Sequence, residues 1–291
     1  MAFLVSGSAH AEKFNLPPKP INVVGAVKLI EAKEEDSLAD LALEYGIGYE
    51  AMINANPNVD EWYPKEGTKI LIPSRYILPD VAHEGIVLNL PEMRLYYFPP
   101  DEEVVYVYAV GIGREDWATP LGVQKITEKV KNPTWTPPAS IRAEHAANGD
   151  PLPAVVQAGP DNPLGRFKMR LTNPSYLIHG TNKPAGVGMR VSHGCVRMYD
   201  EGIEELFSLA PMGTQVNIIN QPMKVGWYGD GLYLEFHPPL EEFQVSVEES
   251  VRMARDTVQE QLQGSGYQVS NDLIDAVVYE ASGMPIEVAY H

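Results

Sequence analysis

At 291 residues, 44% hydrophobic and 21% charged, the chain is long enough for one sizeable core and a second, smaller unit, and it is unlike a disordered polypeptide. A formal net charge of -17 repels polyanions, which sets aside nucleic acid and anionic membrane surfaces as partners. The single cysteine excludes an internal disulfide, and no run approaches the roughly 18 apolar residues of a membrane span.

In chain order, Ala2-Phe3-Leu4-Val5 followed by Ala9-His10-Ala11 reads as the tail of a secretory signal, a short apolar stretch before an A-x-A pattern, although no basic residue precedes Lys13. Leu16-Pro17-Pro18-Lys19-Pro20 cannot form a helix or a central strand, because proline removes donors and fixes φ. Residues 1–25 are therefore expected to be a signal remnant and an extended linker. Over 26–73 the pattern is strand, helix, helix, strand. Val27 and Leu29 fit the first strand. Asp36-Ser37 can cap a helix with Leu38, Leu41, Ala42 and Tyr45 on one face, ended by Gly46. A short helix from Tyr49 to Asn54 precedes a closing strand at Thr68 to Pro73.

Residues 82–220 hold β-branched and aromatic runs broken by Gly and Pro: Ile86 to Leu90, Arg94 to Phe98, Val104 to Val110, Gly122 to Thr127, Met169 to Leu171, Tyr176 to His179 and Gln215 to Ile219. Such spacing predicts a mainly β domain, a sandwich or barrel-like, with one helix capped by Asp200 and carrying Ile203, Leu206, Phe207 and Ala210 on one face. Residues 221–291 read as a mixed hairpin-plus-helices extension. The hairpin turns at Gly229-Asp230-Gly231. One helical stripe runs through Val247, Val251, Ala254, Val258 and Leu262, and a second through Leu273, Ile274, Val277, Val278 and Ala281.

The chemistry concentrates in Tyr176-Leu177-Ile178-His179-Gly180-Thr181 and Arg190-Val191-Ser192-His193-Gly194-Cys195-Val196-Arg197. A lone cysteine is a buried spectator, an intermolecular bridge or a reactive group. Here two histidines and the cations Arg190 and Arg197 lie near it in sequence, so a stabilised thiolate is plausible chemistry. A zinc site of His179, His193 and Cys195 is the competing reading. It lacks a C-x-x-C or H-E-x-x-H pattern. Gly111-Ile112-Gly113 imitates part of a phosphate loop, but Trp117, Thr119 and Pro120 block the helix that a dinucleotide site requires. Trp135, among prolines, is either a wall of a substrate channel or a core aromatic.

Two segments resemble known families. Residues 26–73 resemble a LysM module in Asp36-Ser37-Leu38, Ile53-Asn54-Ala55-Asn56-Pro57 and Gly67 to Pro73, which implies binding to N-acetylglucosamine-containing glycan such as peptidoglycan. His179-Gly180-Thr181-Asn182 followed by Ser192 to Arg197 resembles the signature of YkuD-type L,D-transpeptidases. That likeness continues through Val110 to Gly113, Thr119 to Gly122, Asn132 to Pro138 and Asn162 to Gly165. With the LysM-like unit and Asp230 to Leu234, the resemblance is to the periplasmic Gram-negative branch.

It implies acyl transfer from peptidoglycan stem peptides with no cofactor and no metal. Cys195 would be the nucleophile and His179 the base, oriented by the Gly180 carbonyl. His193 and the amides of Gly194 and Cys195 would line the site, with Ser192, Trp135 and Arg197 as substrate contacts, Arg197 toward a carboxylate. The alternative for Arg197 is an ion pair with the acidic helix that follows. The acceptor stays open: a second diaminopimelate, the lysine of an outer-membrane lipoprotein, a D-amino acid or water. A silent wall-binding protein and a metal-dependent amidase or peptidase are the competing functions, and the two modules are expected to work separately.

Overall fold

The computed structural model describes residues 10–263 and 266–291. The apolar stretch at 2–5 and Ala9 of the expected cleavage pattern lie outside them. Two short strands correct the linker reading of residues 1–25. Glu12–Asn15 (β1) pairs antiparallel with Val104 to Val107, with Phe14 packed against an apolar cluster. Val23–Gly25 (β2) lies farther along. Four residues of mixed polarity carry no legible period, so β1 forms only because a long strand elsewhere offers it a free edge.

The next unit runs Lys28–Glu31 (β3), Leu38–Tyr45 (α1), Tyr49–Ala55 (α2) and Lys69–Ile72 (β4), with β3 and β4 antiparallel. Ser37 is the N-cap of α1, its Oγ accepting from the Asp40 amide at 3.1 Å, and Gly46 ends the helix at φ 68. Both satisfy backbone groups that a helix end leaves bare. Leu38, Leu41, Met52, Ile70 and Ile72 close a small core. Each such burial contributes roughly 1.5–3 kcal/mol over exposure. Asn56 holds the second loop: it donates to Met52 O and Leu71 O and accepts from the Leu71 amide. Arg75–Ile77 (β5) pairs with β2, so the unit leaves and returns at one place.

The main domain comprises Gly85–Asn89 (β6), Arg94–Phe98 (β7), Val104–Gly113 (β8), Gly122–Lys131 (β9), Ala139–Ala147 (α3), Phe167–Leu171 (β10), Leu177–His179 (β11), Arg190–Ser192 (β12), Val196–Met198 (β13), Asp200–Leu209 (α4) and Gln215–Ile219 (β14). Strand order is β8-β13-β11-β10-β9-β14-β6-β7, and β7 pairs again with β8, which closes the ring. The expectation of a mainly β, barrel-like domain holds. Leu88, Leu95, Val110, Ile112, Met169, Ile178 and Val196 are among its buried core, under α4. Tyr199, not Asp200, precedes the first turn of α4. The Asp200 carboxylate instead accepts from the Thr181 amide at 3.0 Å and pairs with Arg166.

The two units are docked rather than strung together. The Tyr49 and Glu50 amides donate to Val187 O and Gly188 O, and the Tyr199 hydroxyl donates to Ile47 O at 2.9 Å. Gly48 and Gly188 allow the backbones to meet: a Cβ on Gly48 would lie 2.9 Å from Gly188 Cα. Residues 187–188 lead directly into β12, so the small domain buttresses the approach to Cys195.

The C-terminal part is Met223–Tyr228 (β15), Gly231–Phe236 (β16), Val247–Gln261 (α5), Gln268–Val269 (β17), Asn271–Glu280 (α6) and Ile286–Tyr290 (β18). The hairpin and both helices stand where their periodicity predicts. The final strand, which pairs with β16, was not legible and completes a four-stranded sheet over its own apolar cluster. A buried ion network staples this part to the barrel: Lys224 Nζ donates to Glu92 and to Ile77 O, and lies 2.9 Å from Glu235, while Arg94 pairs with Glu92.

Candidate active site

Strands β11 and β13 are adjacent and parallel, with Ile178 opposite Val196 and His179 opposite Arg197. Ile178 and Val196 enter the barrel core. Alternation therefore sends His179 and Arg197 to the other face, and Cys195, one residue ahead of β13 and two before Arg197, follows them.

The His179 ring is 5% exposed, and its Nδ1 lies 2.6 Å from Gly180 O. A carbonyl only accepts, so Nδ1 carries the proton and Nε2 keeps its lone pair. Gly180 is held in turn: its amide donates to Phe167 O, and a Cβ there would meet Asp200 Oδ1 at 2.1 Å. Any side chain there would have to displace the Asp200 carboxylate. Burial drives the imidazole down to about 4, helped by Arg197 and opposed by the Gly180 carbonyl.

The Cys195 thiol donates to Ser175 O at 3.8 Å. Burial pushes its pKa up, while the Leu177 amide and Arg197 act in the opposite direction. Burial thus favours the neutral thiol and the neutral imidazole. Desolvation thereby opposes the stabilised thiolate expected from sequence, and the nearby guanidinium favours it. Only one of the two expected cations is available: Arg190 is engaged by Glu242 and Gly113 O.

Arg197 is half-buried, its Nε is buried without a hydrogen-bond partner, and Cys195 is the charge partner that bears on it. Among the described residues it joins no ion pair. The alternative reading, pairing with the acidic helix, is not what the described residues show: Asp200 and Glu204 pair with Arg166 instead. An orphaned guanidinium beside the thiol suits a carboxylate ligand.

His193 stands apart from His179. Its Nε2 lies 3.0 Å from Glu144 on α3, both Glu144 carboxylate oxygens accept from Arg114 Nη2, and Trp117 meets the ring edge-on at 5.3 Å. This ties the 132–166 excursion to the Cys195 loop. Ser192 is 3% exposed and donates its hydroxyl to Cys195 O at 2.6 Å, so it shapes the loop from below instead of presenting to solvent. Trp135 is half-buried in the excursion, its backbone paired with Val156. Gly194 has φ +93, with no room for a Cβ beside Tyr176. Thr119, Glu144, Arg114 and Ser175 were not found from sequence. They come from three separate segments, the β8–β9 connection, α3 and the turn before β11, and only the tertiary fold brings them to Cys195.

His179, His193 and Cys195 do not converge as metal ligands. Among the described residues the group close enough for that is Glu92, Glu235 and His237. Lys224 and Arg94 already bridge it.

A family model of the L,D-transpeptidase catalytic domain, YkuD, matches residues 83–218, and a LysM domain model matches residues 30–73. The chain is 42% identical to the probable L,D-transpeptidase YcfS of Escherichia coli (strain K12), over 97% of this chain and 90% of that relative. It belongs to the L,D-transpeptidase family. Two further relatives from the same strain agree: probable L,D-transpeptidase YbiS, 42% identical over 99% of this chain and 96% of that protein, and probable L,D-transpeptidase ErfK/SrfK, 39% identical over 98% and 93%. The protein is thus an enzyme of the L,D-transpeptidase class, a class that acts on peptidoglycan, and its LysM domain suits it to that polymer. Among the described residues no helix is long and apolar enough to cross a membrane.

Proposed function

We propose that this L,D-transpeptidase works through a Cys195 thioester. The observation that carries the reading is the His179 ring, fixed through Nδ1 to Gly180 O on the strand beside the one that Cys195 enters. His179 Nε2 takes the thiol proton as Sγ attacks the carbonyl after the L-centre of diaminopimelate in a tetrapeptide stem. The tetrahedral oxyanion collapses, the C–N bond to the terminal D-alanine breaks, and the departing amine receives the proton from His179. An acceptor amine then attacks the thioester, passes its proton to His179, and Sγ leaves and is reprotonated. Arg197 holds a carboxylate of the stem, and Trp135 forms part of the channel wall.

The acceptor is a diaminopimelate amine, giving a 3-3 cross-link, or the lysine of an outer-membrane lipoprotein, and the compartment is the periplasm, where both occur. Incubation with a disaccharide-tetrapeptide should add to the protein the mass of the donor less D-alanine. Muropeptide analysis after incubation with sacculi then identifies the acceptor. Release of D-alanine with no covalent adduct and full sensitivity to chelators would favour the metal-dependent peptidase.

The LysM domain is read as the glycan anchor. Excising residues 26–73 should abolish co-sedimentation with sacculi, and should also lower the melting temperature by several degrees. The apolar contact of Leu43 and Ala109 with Val187 and Tyr199 would open to water. An unchanged melting temperature would show that the docking carries no stability and that the modules are independent after all.

A further inference from the structure

The nucleophile loop hangs from a residue outside the signature. Thr119 is 6% exposed, and its Oγ1 donates to Gly194 O at 3.0 Å while accepting from the Gly113 amide at 3.1 Å. Those roles are unambiguous, because an amide only donates and a carbonyl only accepts. The hydroxyl thus links the end of β8 to the peptide between Gly194 and Cys195. That peptide is planar and trans, so anchoring its carbonyl on one side directs the Cys195 N–H to the other. The following peptide is anchored the same way by Ser192 Oγ on Cys195 O.

Space around the bridge is closed. A Cβ on Gly113 would lie 2.0 Å from Trp117 O and 2.9 Å from Gly194 Cα, and Gly194 itself sits at φ +93. A peptide with positive φ and no side chain has few other restraints on its plane. One hydroxyl supplies the restraint here.

We propose that Thr119 is a positioning residue for acyl transfer: its hydroxyl sets the plane of the Gly194–Cys195 peptide so that the Cys195 amide donates to the oxyanion of the tetrahedral intermediate. The proposal rests on the cysteine acyl-enzyme reading. An amide aimed where charge develops acts on the transition state more than on bound substrate or on the free thiol. Loss of the aim therefore lowers kcat, and leaves KM and the alkylation of Cys195 by a small reagent nearly alone.

The test compares Thr119→Val, which keeps the shape and removes both hydrogen bonds, with Thr119→Ser, which keeps both. The full chain is assayed for D-alanine release from a soluble disaccharide-tetrapeptide, for iodoacetamide alkylation and for melting temperature. Thr119→Val should lower kcat roughly tenfold to a hundredfold, with KM and alkylation within about twofold, and Thr119→Ser should recover to within about threefold of the parent. Unchanged kcat in Thr119→Val overturns the proposal. So does a parallel fall in kcat and alkylation, or a folded Thr119→Ser as slow as Thr119→Val. If Thr119→Val does not fold, Thr119→Ala takes its place: the same fall in kcat is expected, and an unchanged kcat or a parallel loss of alkylation overturns the proposal. Failure of the underlying mechanism shows separately, as D-alanine release by Cys195→Ala.

Discussion

Cys195→Ala should lose D-alanine release by at least about a thousandfold and form no covalent adduct with donor, because no other group on this face of the barrel can form the thioester. The fold should survive. Sγ makes a long hydrogen bond to Ser175 O and meets the Leu177 amide, and Cys195 is only partly enclosed, so removing the sulfur opens no large cavity in the core. Intact-mass spectrometry with the disaccharide-tetrapeptide reads the adduct, and circular dichroism reads the fold. A folded Cys195→Ala protein that releases D-alanine at the parental rate would end the acyl-enzyme reading and leave His193 and Glu144 to be examined as groups activating water.

His179→Gln should slow transfer at least about a hundredfold, the lower range for losing general acid–base catalysis, and His193→Gln by a smaller factor. His193 lies closer to Cys195 in sequence, but its Nε2 is committed to Glu144, whereas His179 offers a free Nε2 on a ring locked by Gly180. The pH profiles separate the two. His179 must be neutral to take the proton, and burial puts its pKa near about 4, so parental kcat/KM should hold from neutral pH down toward that value and fall below it as the imidazole protonates. With the thiol pKa raised by burial, iodoacetamide alkylation of the free enzyme should climb only above the ordinary thiol value of 9.0. An alkylation plateau at acid or neutral pH would instead mean a preformed thiolate–imidazolium pair, and would overturn the neutral pair that burial favours.

Stability gives a second readout of the same burial. Unfolded histidine takes its proton near 6.5 and folded His179 near about 4, so between those values the unfolded chain binds more protons. Stability should therefore fall as pH drops through that window. His179→Gln should flatten this part of the curve, and an equally steep curve in the variant would place the buried titrating group elsewhere.

What could be read in the sequence was whatever is local or contiguous. The helices at 38–45, 247–261 and 271–280 announce themselves by stripes of apolar residues, the first also by its Ser37 cap, because a helix buries one face with a period its own residues set. Cys195, His179 and His193 could be named for the same reason, since the signature gathers them in two short runs. Three dimensions decided the rest. β1 and β18 exist only through partners far along the chain, and Glu144, Arg114 and Thr119 reach the Cys195 loop from segments whose sequence assigned them no place there. The docking of the LysM domain depends on two glycine backbones meeting, which no hydrophobic pattern records. The protonation of the site was equally hidden. Residue types suggested a stabilised thiolate, but the cost of keeping charge depends on what packs around each group, and burial weighs against the charged form of both.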